Sequence, residues 1–352
     1  MEVKKILREW MLPIAMVAGA SIYLIYHIMP EPVHRLGPCL SAVVSLLQPM
    51  LIFAMLFLTF CNIEPKELRP HRWHWWLLLI QGGVFVLLGL LAAGLMKWIP
   101  EASGNWVVLI ESAMLCFICP TATAAAVVTR KLKGDVPGIT TYIVLINLLT
   151  ALLVPLMLPM IQPSRESDFW TSFGLIMAKV FPLLITPCLG AWLVRYMCPK
   201  LYRRVLQYPD LAFYLWSVAL TLAIAVTTKS IVKSQMDWWL ILAMSAVSLL
   251  CCAIQFASGR YVGGKYRPRR SFADVREDVL VRARQTRKVT AGQSLGQKNT
   301  VFAIWLAYTF MTPETAIIGG LYSIWHNVYN SWQLYRAGKQ DQNLKSDQYQ
   351  NI

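Results

Sequence analysis

CPTATAAAVVTRKLKGD, residues 119–135, is the stretch that decides the fold. Its second residue, Pro120, lies within an apolar run. Proline cannot donate the backbone hydrogen bond that a continuing helix needs. A second apolar run contains GQSLGQKNT, residues 292–300, where glycines and polar side chains replace lipid-facing ones. Interrupted helices at membrane depth are typical of transporters, in which freed backbone groups bind substrate or ions. A proline kink with polar packing between helices is the structural alternative.

The composition around these two segments is that of a membrane protein. The 352 residues are 57% hydrophobic and 14% charged, with a mean hydropathy of +0.49, whereas soluble domains are about 45–50% apolar and 25% charged. Apolar runs of about 20 residues, the length that crosses a bilayer, recur along the chain. We predict an all-α membrane protein with ten spans, at residues 11–28, 39–60, 75–95, 106–128, 139–161, 169–197, 211–228, 238–256, 291–310 and 316–335.

The distribution of basic residues predicts the orientation. The net charge is +15, but Lys and Arg lie between the apolar runs and not in one compact domain, which argues against nucleic-acid binding. The loops on one side contain few of the 33 Lys and Arg residues, namely Arg35, Lys97, Arg165, Lys229 and Lys233. The positive-inside rule therefore places both termini in the cytoplasm. The absence of a transit peptide favours a bacterial inner membrane, with the first span retained.

The order of the spans is compatible with two inverted five-helix repeats, because the interrupted spans are the fourth of each half. The first repeat would cover residues 1–162 and the second residues 163–338, before a polar cytoplasmic tail over residues 339–352. A basic linker over residues 259–290 is expected between the eighth and ninth spans. It would form either a short amphipathic helix that contacts anionic lipid or a solvated loop.

Catalytic and metal chemistry are not predicted. The eight cysteines lack the paired Cys/His spacing of a zinc site. Cys116 and Cys119 form a C-x-x-C pair, but within a predicted span and without a thioredoxin-like context. Paired catalytic acids, a nucleophile triad and a metal cluster are all missing from any one predicted plane. We therefore predict a protein that is not an enzyme and that has neither a cofactor nor a metal.

Three segments resemble one family. Residues 119–135, GQSLGQKNTVFAIWLA at residues 292–307 and SIWHNVYNSW at residues 323–332 are similar to the fourth-, ninth- and tenth-span elements of the bile acid:sodium symporter family. The resemblance covers nearly the whole chain. It implies a core domain with two broken, crossing helices, spans four and nine, and a panel domain of spans one, two, six and seven. It also implies that an organic anion is the substrate and binds between these domains.

The resemblance further implies that the sodium site of the family is lost in this chain. Sodium-coupled members have a Ser-Asn pair where this sequence has Ala125 and Ala126, and a glutamate and a glutamine where it has Ser294 and Lys298. Gln81 is the sodium ligand that is retained. Since Na⁺ needs a shell of oxygens with negative charge nearby, we predict sodium-independent action, in which Gln81 binds Lys298 or the substrate.

Lys298 has two interpretations, which the sequence leaves open. Its ammonium either occupies the space of sodium and neutralises helix dipoles, or it loses and regains a proton and replaces sodium coupling by proton coupling. Its expected partners are the carbonyl ends of the broken helices, Gln81 or an acid. Glu111 is the other titratable group of this region at membrane depth. Lys179, in the sixth span, either snorkels to an interface or faces the substrate cavity.

Uncharged polar side chains near the two interruptions and in the tenth span are the predicted substrate ligands. An intramembrane histidine is a functional candidate by default, although packing against a neighbouring helix is its alternative role. The set comprises Thr121, Thr123, Asn147, Gln293, Gln297, Asn299, Thr300, His326 and Asn327.

Two functions are compatible with these features. The first is a secondary transporter of an organic anion, bile acid-like or a small carboxylate, that works by alternating access; a sodium-coupled symporter with a displaced cation site is a variant of it. The second is a transport-dead sensor or binding protein of the same fold. The sequence predicts neither the substrate, nor the direction of transport, nor the oligomeric state.

Overall fold

The computed structural model describes residues 2–31, 35–99, 104–162, 168–208, 210–234, 236–266 and 277–350. Within these ranges the chain is all-helical, with a short 3₁₀ helix at Pro65–Glu67 and one isolated β-bridge but no strand. The α-helices there are α1 (Glu2–Ile28), α2 (Gly37–Cys61), α3 (Arg72–Trp98), α4 (Gly104–Ile118), α5 (Ala124–Lys131), α6 (Val136–Ile161), α7 (Phe169–Met197), α8 (Pro199–Leu206), α9 (Leu211–Lys233), α10 (Trp238–Lys265), α11 (Glu277–Gly296), α12 (Thr300–Phe310) and α13 (Ile317–Gln350).

Six helices of the described ranges are long and apolar enough to cross a membrane. They are α2, α3, α6, α7, α9 and α10, of 23 to 29 residues each, which exceeds the roughly 20 residues that a bilayer requires. Pro13–Ile28, Gly104–Ile118 and Thr300–Phe310 are shorter apolar helical segments. The helix α13, which contains the tenth predicted span, is not among the six. The chain is therefore a multi-pass membrane protein.

Both predicted interruptions are present. The segment between α4 and α5 contains Pro120, whose missing amide hydrogen ends a helical ladder. The segment between α11 and α12 ends in Asn299, whose Oδ1 accepts a hydrogen bond of 3.2 Å from the Phe302 amide. This is an N-cap, which satisfies an amide that has no partner within α12. Local sequence chemistry thus accounts for both breaks.

The helices pack in two groups. In the first group α1 packs on α9, and α2 packs on both α7 and α9. The second group comprises α3 to α6 and α10 to α13; in it α3 packs on α4 and α6, and α10 packs on α4, α11 and α13. Contacts of α6 with α7, of α12 with α2 and α9, and of α9 with α13 join the two groups. The boundary between the groups therefore passes beside α12.

Small residues allow α10 and α11 to approach closely. A methyl group on Gly259 would collide with the Ala291 carbonyl, and one on Gly263 would collide with the Arg287 carbonyl. Glycines four residues apart bring the backbones of membrane helices together in this way. This contact, the glycine seam of Gly259 and Gly263, fixes the position of α11 and hence of the second interruption.

The helices beside the inner linker extend further than the predicted spans. Residues 259–265 belong to α10, and residues 277–290 are the first turns of α11. The basic segment after residue 276 is therefore continuous with the ninth span and not a separate amphipathic helix. Residues 267–276 lie outside the described ranges. The helix α13 likewise continues through the predicted tail to Gln350.

Candidate functional site

The two interruptions lie against each other. The Ala122 amide donates to the Gln297 carbonyl at 2.9 Å, and the Asn299 amide donates to the Pro120 carbonyl at 2.8 Å. These bonds form an isolated antiparallel β-bridge. Non-helical backbone at membrane depth must find its partners within the protein, so each interruption supplies what the other lacks. We call residues 119–123 and 297–299 together the crossing.

Each backbone carbonyl at the carboxyl end of α4 accepts a hydrogen bond from a different donor. A helix leaves its last four carbonyls without partners in its own ladder. Five successive carbonyls receive donors from elsewhere: Cys116 from Gln255 Nε2 (3.2 Å), Phe117 from Lys298 Nζ (3.2 Å), Ile118 from Thr150 Oγ1 (2.9 Å), Cys119 from Gln81 Nε2 (3.0 Å) and Pro120 from the Asn299 amide (2.8 Å). The end of α4 therefore joins α3, α6, α10 and the second interruption.

Lys298 is a buried cation in this arrangement. It is 2% exposed, and its ammonium donates to the Phe117 carbonyl. That carbonyl lies at the negative end of the α4 dipole, where a positive charge is stabilised. In the part of the chain that the structure describes, no carboxylate pairs with Lys298. Of its three expected kinds of partner, a carbonyl end, Gln81 and an acid, the described contacts show the carbonyl end.

Thiols and a phenol surround Lys298. A void of about 10 Å³ borders its side chain and is also lined by Cys116, Cys119, Thr300 and Tyr322. This is the space of about one water molecule. The Tyr322 hydroxyl donates to the last carbonyl of α11 at 2.8 Å. Tyr322 therefore binds the carboxyl end of α11 in the way that Lys298 binds the carboxyl end of α4. The described lining contains no carboxylate.

Gln81 was predicted to bind either Lys298 or the substrate, but its described hydrogen bonds are to Cys119 and Tyr142. Its Nε2 donates to the Cys119 carbonyl, and its Oε1 accepts from the Tyr142 hydroxyl at 2.8 Å. Each end of the amide therefore has one bond within the protein. Tyr142, Gln255 and Tyr322 were not predicted; their signal in the sequence is a polar group inside an apolar span.

Glu111 is buried, and its partners are not at the crossing. Its carboxylate accepts hydrogen bonds from Gln162 Nε2 at 2.6 Å and from Thr315 Oγ1 at 3.1 Å. These partners follow α6 and precede α13. Among the described residues no bond links Glu111 to Lys298. The carboxylate therefore ties α4 to two other segments at a separate place.

Several predicted substrate ligands lie at or beside the crossing with their side chains already bonded within the protein. Thr121 Oγ1 donates to the Ser294 carbonyl at 2.5 Å, and Asn299 caps α12. Gln293 Nε2 donates to Asn330 Oδ1 at 2.9 Å. These side chains stabilise the crossing before any substrate binds.

Other predicted ligands lie within helices. Asn147 and Asn327 each donate to a carbonyl one turn earlier in their own helix, at 2.9 and 2.6 Å. His326 is buried, with its ring centroid 5.7 Å from that of Tyr322. Thr123 precedes α5 and makes no side-chain capping bond. His326 therefore faces the protein interior beside the residue that pairs the end of α11.

Buried polar atoms without partners mark where a ligand or water is favoured. Within the described residues these atoms include Oδ1 of Asn147, Oε1 of Gln293, Oγ of Ser294, Oε1 of Gln297 and Nδ1 of His326. An unpaired buried polar group costs about 1–3 kcal/mol. All five belong to the predicted site residues.

The positions that replace the sodium ligands of the family offer little to a cation. Ala125 is fully buried and Ala126 is half-buried, and a methyl group cannot coordinate sodium. The helix α5 that carries them packs on α11, which carries Ser294. The described ranges contain no group of three or more His, Cys, Asp or Glu that could bind a metal ion.

Comparison with known proteins agrees with this architecture. A family model described as the SBF-like CPA transporter family (DUF4137) matches residues 15–337. The match includes both interruptions and all helices from α2 to α12. No curated protein matches the chain.

Proposed function

The chain belongs to the SBF-like CPA transporter family, and on that premise we propose that it carries an organic anion across the membrane by alternating access, without sodium. The match confirms the resemblance to bile acid:sodium symporters that the three segments predicted. Together with the apolar helices it identifies a multi-pass membrane transporter. The substrate class, the independence from sodium and the role of Lys298 are our proposals.

The observation that carries the proposal is the ammonium of Lys298 at the crossing. It is buried and bonded to the carbonyl end of α4, where a bound cation would also be stabilised by the helix dipole. A second cation would meet this charge without a carboxylate among the described neighbours to offset it. Hard cations such as Na⁺ need such oxygens, which supports transport with Lys298 in the place of sodium.

Two further lysines support an anionic substrate. Lys179 of α7 lies 5.5 Å from the ring centroid of Phe310, and Lys229 of α9 lies 5.6 Å from that of Tyr308. Both rings are at the end of α12, beside the boundary between the two groups of helices. Positive charge along such a boundary raises the local concentration of anions. Of the two roles predicted for Lys179, this placement favours the cavity.

We assign the movement to the two groups of helices. The helices α1, α2, α7 and α9 would form the panel, and the remaining spans would form the core that contains the crossing. The equivalent places of the two interruptions support inverted repeats over residues 1–162 and 163–338, ten spans in all. The basic loops support cytoplasmic termini in a bacterial inner membrane.

Uptake into proteoliposomes tests the proposal. Labelled taurocholate and pantothenate would be offered under imposed sodium, potassium or pH gradients, to the parent protein, to Lys298→Gln and to Lys200→Gln, which changes an exposed lysine of α8. We expect the parent to respond equally to sodium and potassium. If Lys298 carries a proton, a pH gradient drives uptake in the parent and in Lys200→Gln but not in Lys298→Gln.

Two other results would favour the alternatives. Stimulation of the parent by sodium would mean that a cation site lies elsewhere in the protein. Saturable binding of either anion without uptake under any gradient would identify a sensor or binding protein of the same fold.

A further inference from the structure

A pocket of about 620 Å³ lies at one end of the helices, apart from the crossing. It is formed by the carboxyl end of α5, the last turns of α10, the first turns of α11 and the middle of α13. Its volume is within the roughly 300–1,000 Å³ of small-molecule sites. None of the predicted substrate ligands borders it. Its residues belong to the ends that the positive-inside rule places in the cytoplasm.

The pocket is strongly basic. Five cationic side chains line it: Lys131, Lys133, Arg260, Arg282 and Arg336. Its described lining contains no Asp or Glu. A concave surface with charges of one sign concentrates the electrostatic potential and attracts counter-ions. Several cations along one pocket favour an anion with several charges over one with a single charge.

Two of the arginines are held in place by neighbours on α13. Arg260 Nη1 donates to Gln333 Oε1 at 3.1 Å, and the Arg336 guanidinium lies 4.7 Å from the centroid of the Trp332 ring. Guanidinium groups present paired N–H donors that match phosphate oxygens. Because contacts already restrict both side chains, less conformational entropy is lost when a ligand binds.

Gln333 is the second indication of a ligand. It is 8% exposed, and its Nε2 has no hydrogen-bond partner among the described residues. A buried donor without an acceptor costs about 1–3 kcal/mol, and this one lines a pocket whose described lining has no acidic side chain. A phosphate oxygen would satisfy it. The exposed ring of Trp332 adds an apolar wall to the same pocket.

We propose that this pocket binds an anion with two or more phosphate groups, presented from the cytoplasmic side. Such a ligand would bridge α5 and α11, one half of each broken helix, to α10 and α13. Its binding would therefore stabilise the arrangement of helices in which these four ends are together. The phosphates come either from a soluble compound or from the headgroup of an anionic phospholipid.

Calorimetric titration of the full-length protein with inorganic pyrophosphate tests this site. The protein would be held in nanodiscs of zwitterionic phosphatidylcholine. We expect saturable binding that weakens as salt is added, and that weakens at least tenfold in the double variant Arg282→Gln, Arg336→Gln. Both arginines are exposed, so their loss should not disturb folding. The matched control is Arg203→Gln, Arg204→Gln on α8, outside the pocket, which should bind as the parent does.

A second arm distinguishes the two sources of phosphate. The same proteins would be placed in nanodiscs that contain cardiolipin, a phospholipid with two phosphates. Unchanged pyrophosphate affinity would identify a soluble ligand. Retention of cardiolipin by the parent and the α8 control in native mass spectrometry, but not by the pocket variant, would identify a headgroup. The proposal is overturned if the parent binds neither pyrophosphate nor cardiolipin. It is also overturned if the pocket variant binds every ligand that the parent binds, and with the same affinity.

Discussion

Gln81 and Gln48 are both buried glutamines within predicted spans of the first half, but their amides have different surroundings. Gln81 uses Nε2 to pair the Cys119 carbonyl and Oε1 to accept from Tyr142. The Nε2 of Gln48 has no partner among the described residues, although Gln48 is 2% exposed. Comparing variants of the two residues therefore separates the effect of losing a hydrogen-bonded amide from the effect of losing any buried amide.

Replacing Gln81 by leucine should destabilise the protein. The substitution leaves the Cys119 carbonyl and the Tyr142 hydroxyl without partners, and one buried unpaired group costs about 1–3 kcal/mol. We expect the free energy of unfolding to fall by at least that amount in denaturant titrations of the detergent-solubilised protein. Gln48→Leu is the control and should not lower it, because the substitution removes a buried donor that has no partner among the described residues. Equal losses in both variants would show that the end of α4 does not need this donor.

The hydrogen-bond partner of Lys298 was easier to predict from the sequence than the partners of Gln81. A lysine between two interruptions has carbonyl ends nearby whatever the rotation of the helices, and the Phe117 carbonyl is such a partner. The Gln81 bond to Tyr142 joins residues 61 positions apart and depends on how α3 and α6 are rotated against each other. Spacing within one helix does not contain that information.

At the scale of elements, the interruptions are predictable and the inner helix ends are not. Pro120 and the Gly296–Asn299 segment break helices through local backbone chemistry, so the sequence marks them directly. The first turns of α11 are polar and highly charged, and hydropathy cannot distinguish a solvated helix from a loop. The predicted linker therefore included seven residues that continue α10, at 259–265, and the opening turns of α11.

The glycine seam between α10 and α11 gives a prediction for an element pair. Gly259→Val would force the Ala291 carbonyl away and should lower the free energy of unfolding by about 1–3 kcal/mol, the usual cost of overpacking. Gly83→Val is the matched control, because a Cβ atom at Gly83 of α3 would meet no atom within 4 Å outside the backbone of its own helix. Thermal unfolding of the purified proteins measures the difference. If both variants unfold alike, the seam does not fix α11.

At the scale of the whole molecule, two native cysteines at opposite ends can report the orientation. Cys39 lies near the start of α2 and Cys198 directly follows α7, and both are exposed. The remaining cysteines, at positions 61, 116, 119, 188, 251 and 252, are buried. The positive-inside rule assigns Cys39 to the outside and Cys198 to the cytoplasm.

A membrane-impermeant maleimide should therefore label Cys39 in intact cells and Cys198 only after the membrane is permeabilised. Mass spectrometry of the purified protein would detect the label. Cys39→Ser should abolish the first signal and Cys198→Ser the second, so each labelled thiol is identified. Labelling of Cys198 in intact cells would reverse the orientation and place the basic pocket on the outer face.

The crossing joins segments that leave the ribosome far apart in time. Thr121 and the Ser294 carbonyl that it binds are 173 residues apart, which is roughly 9–35 s of synthesis at 5–20 residues per second. Until then the Pro120 carbonyl and the Ala122 amide lack their partners, and lipid does not accept unpaired peptide groups. We therefore expect the nascent chain to keep this segment at water or against the insertion machinery until residues 297–299 have been made.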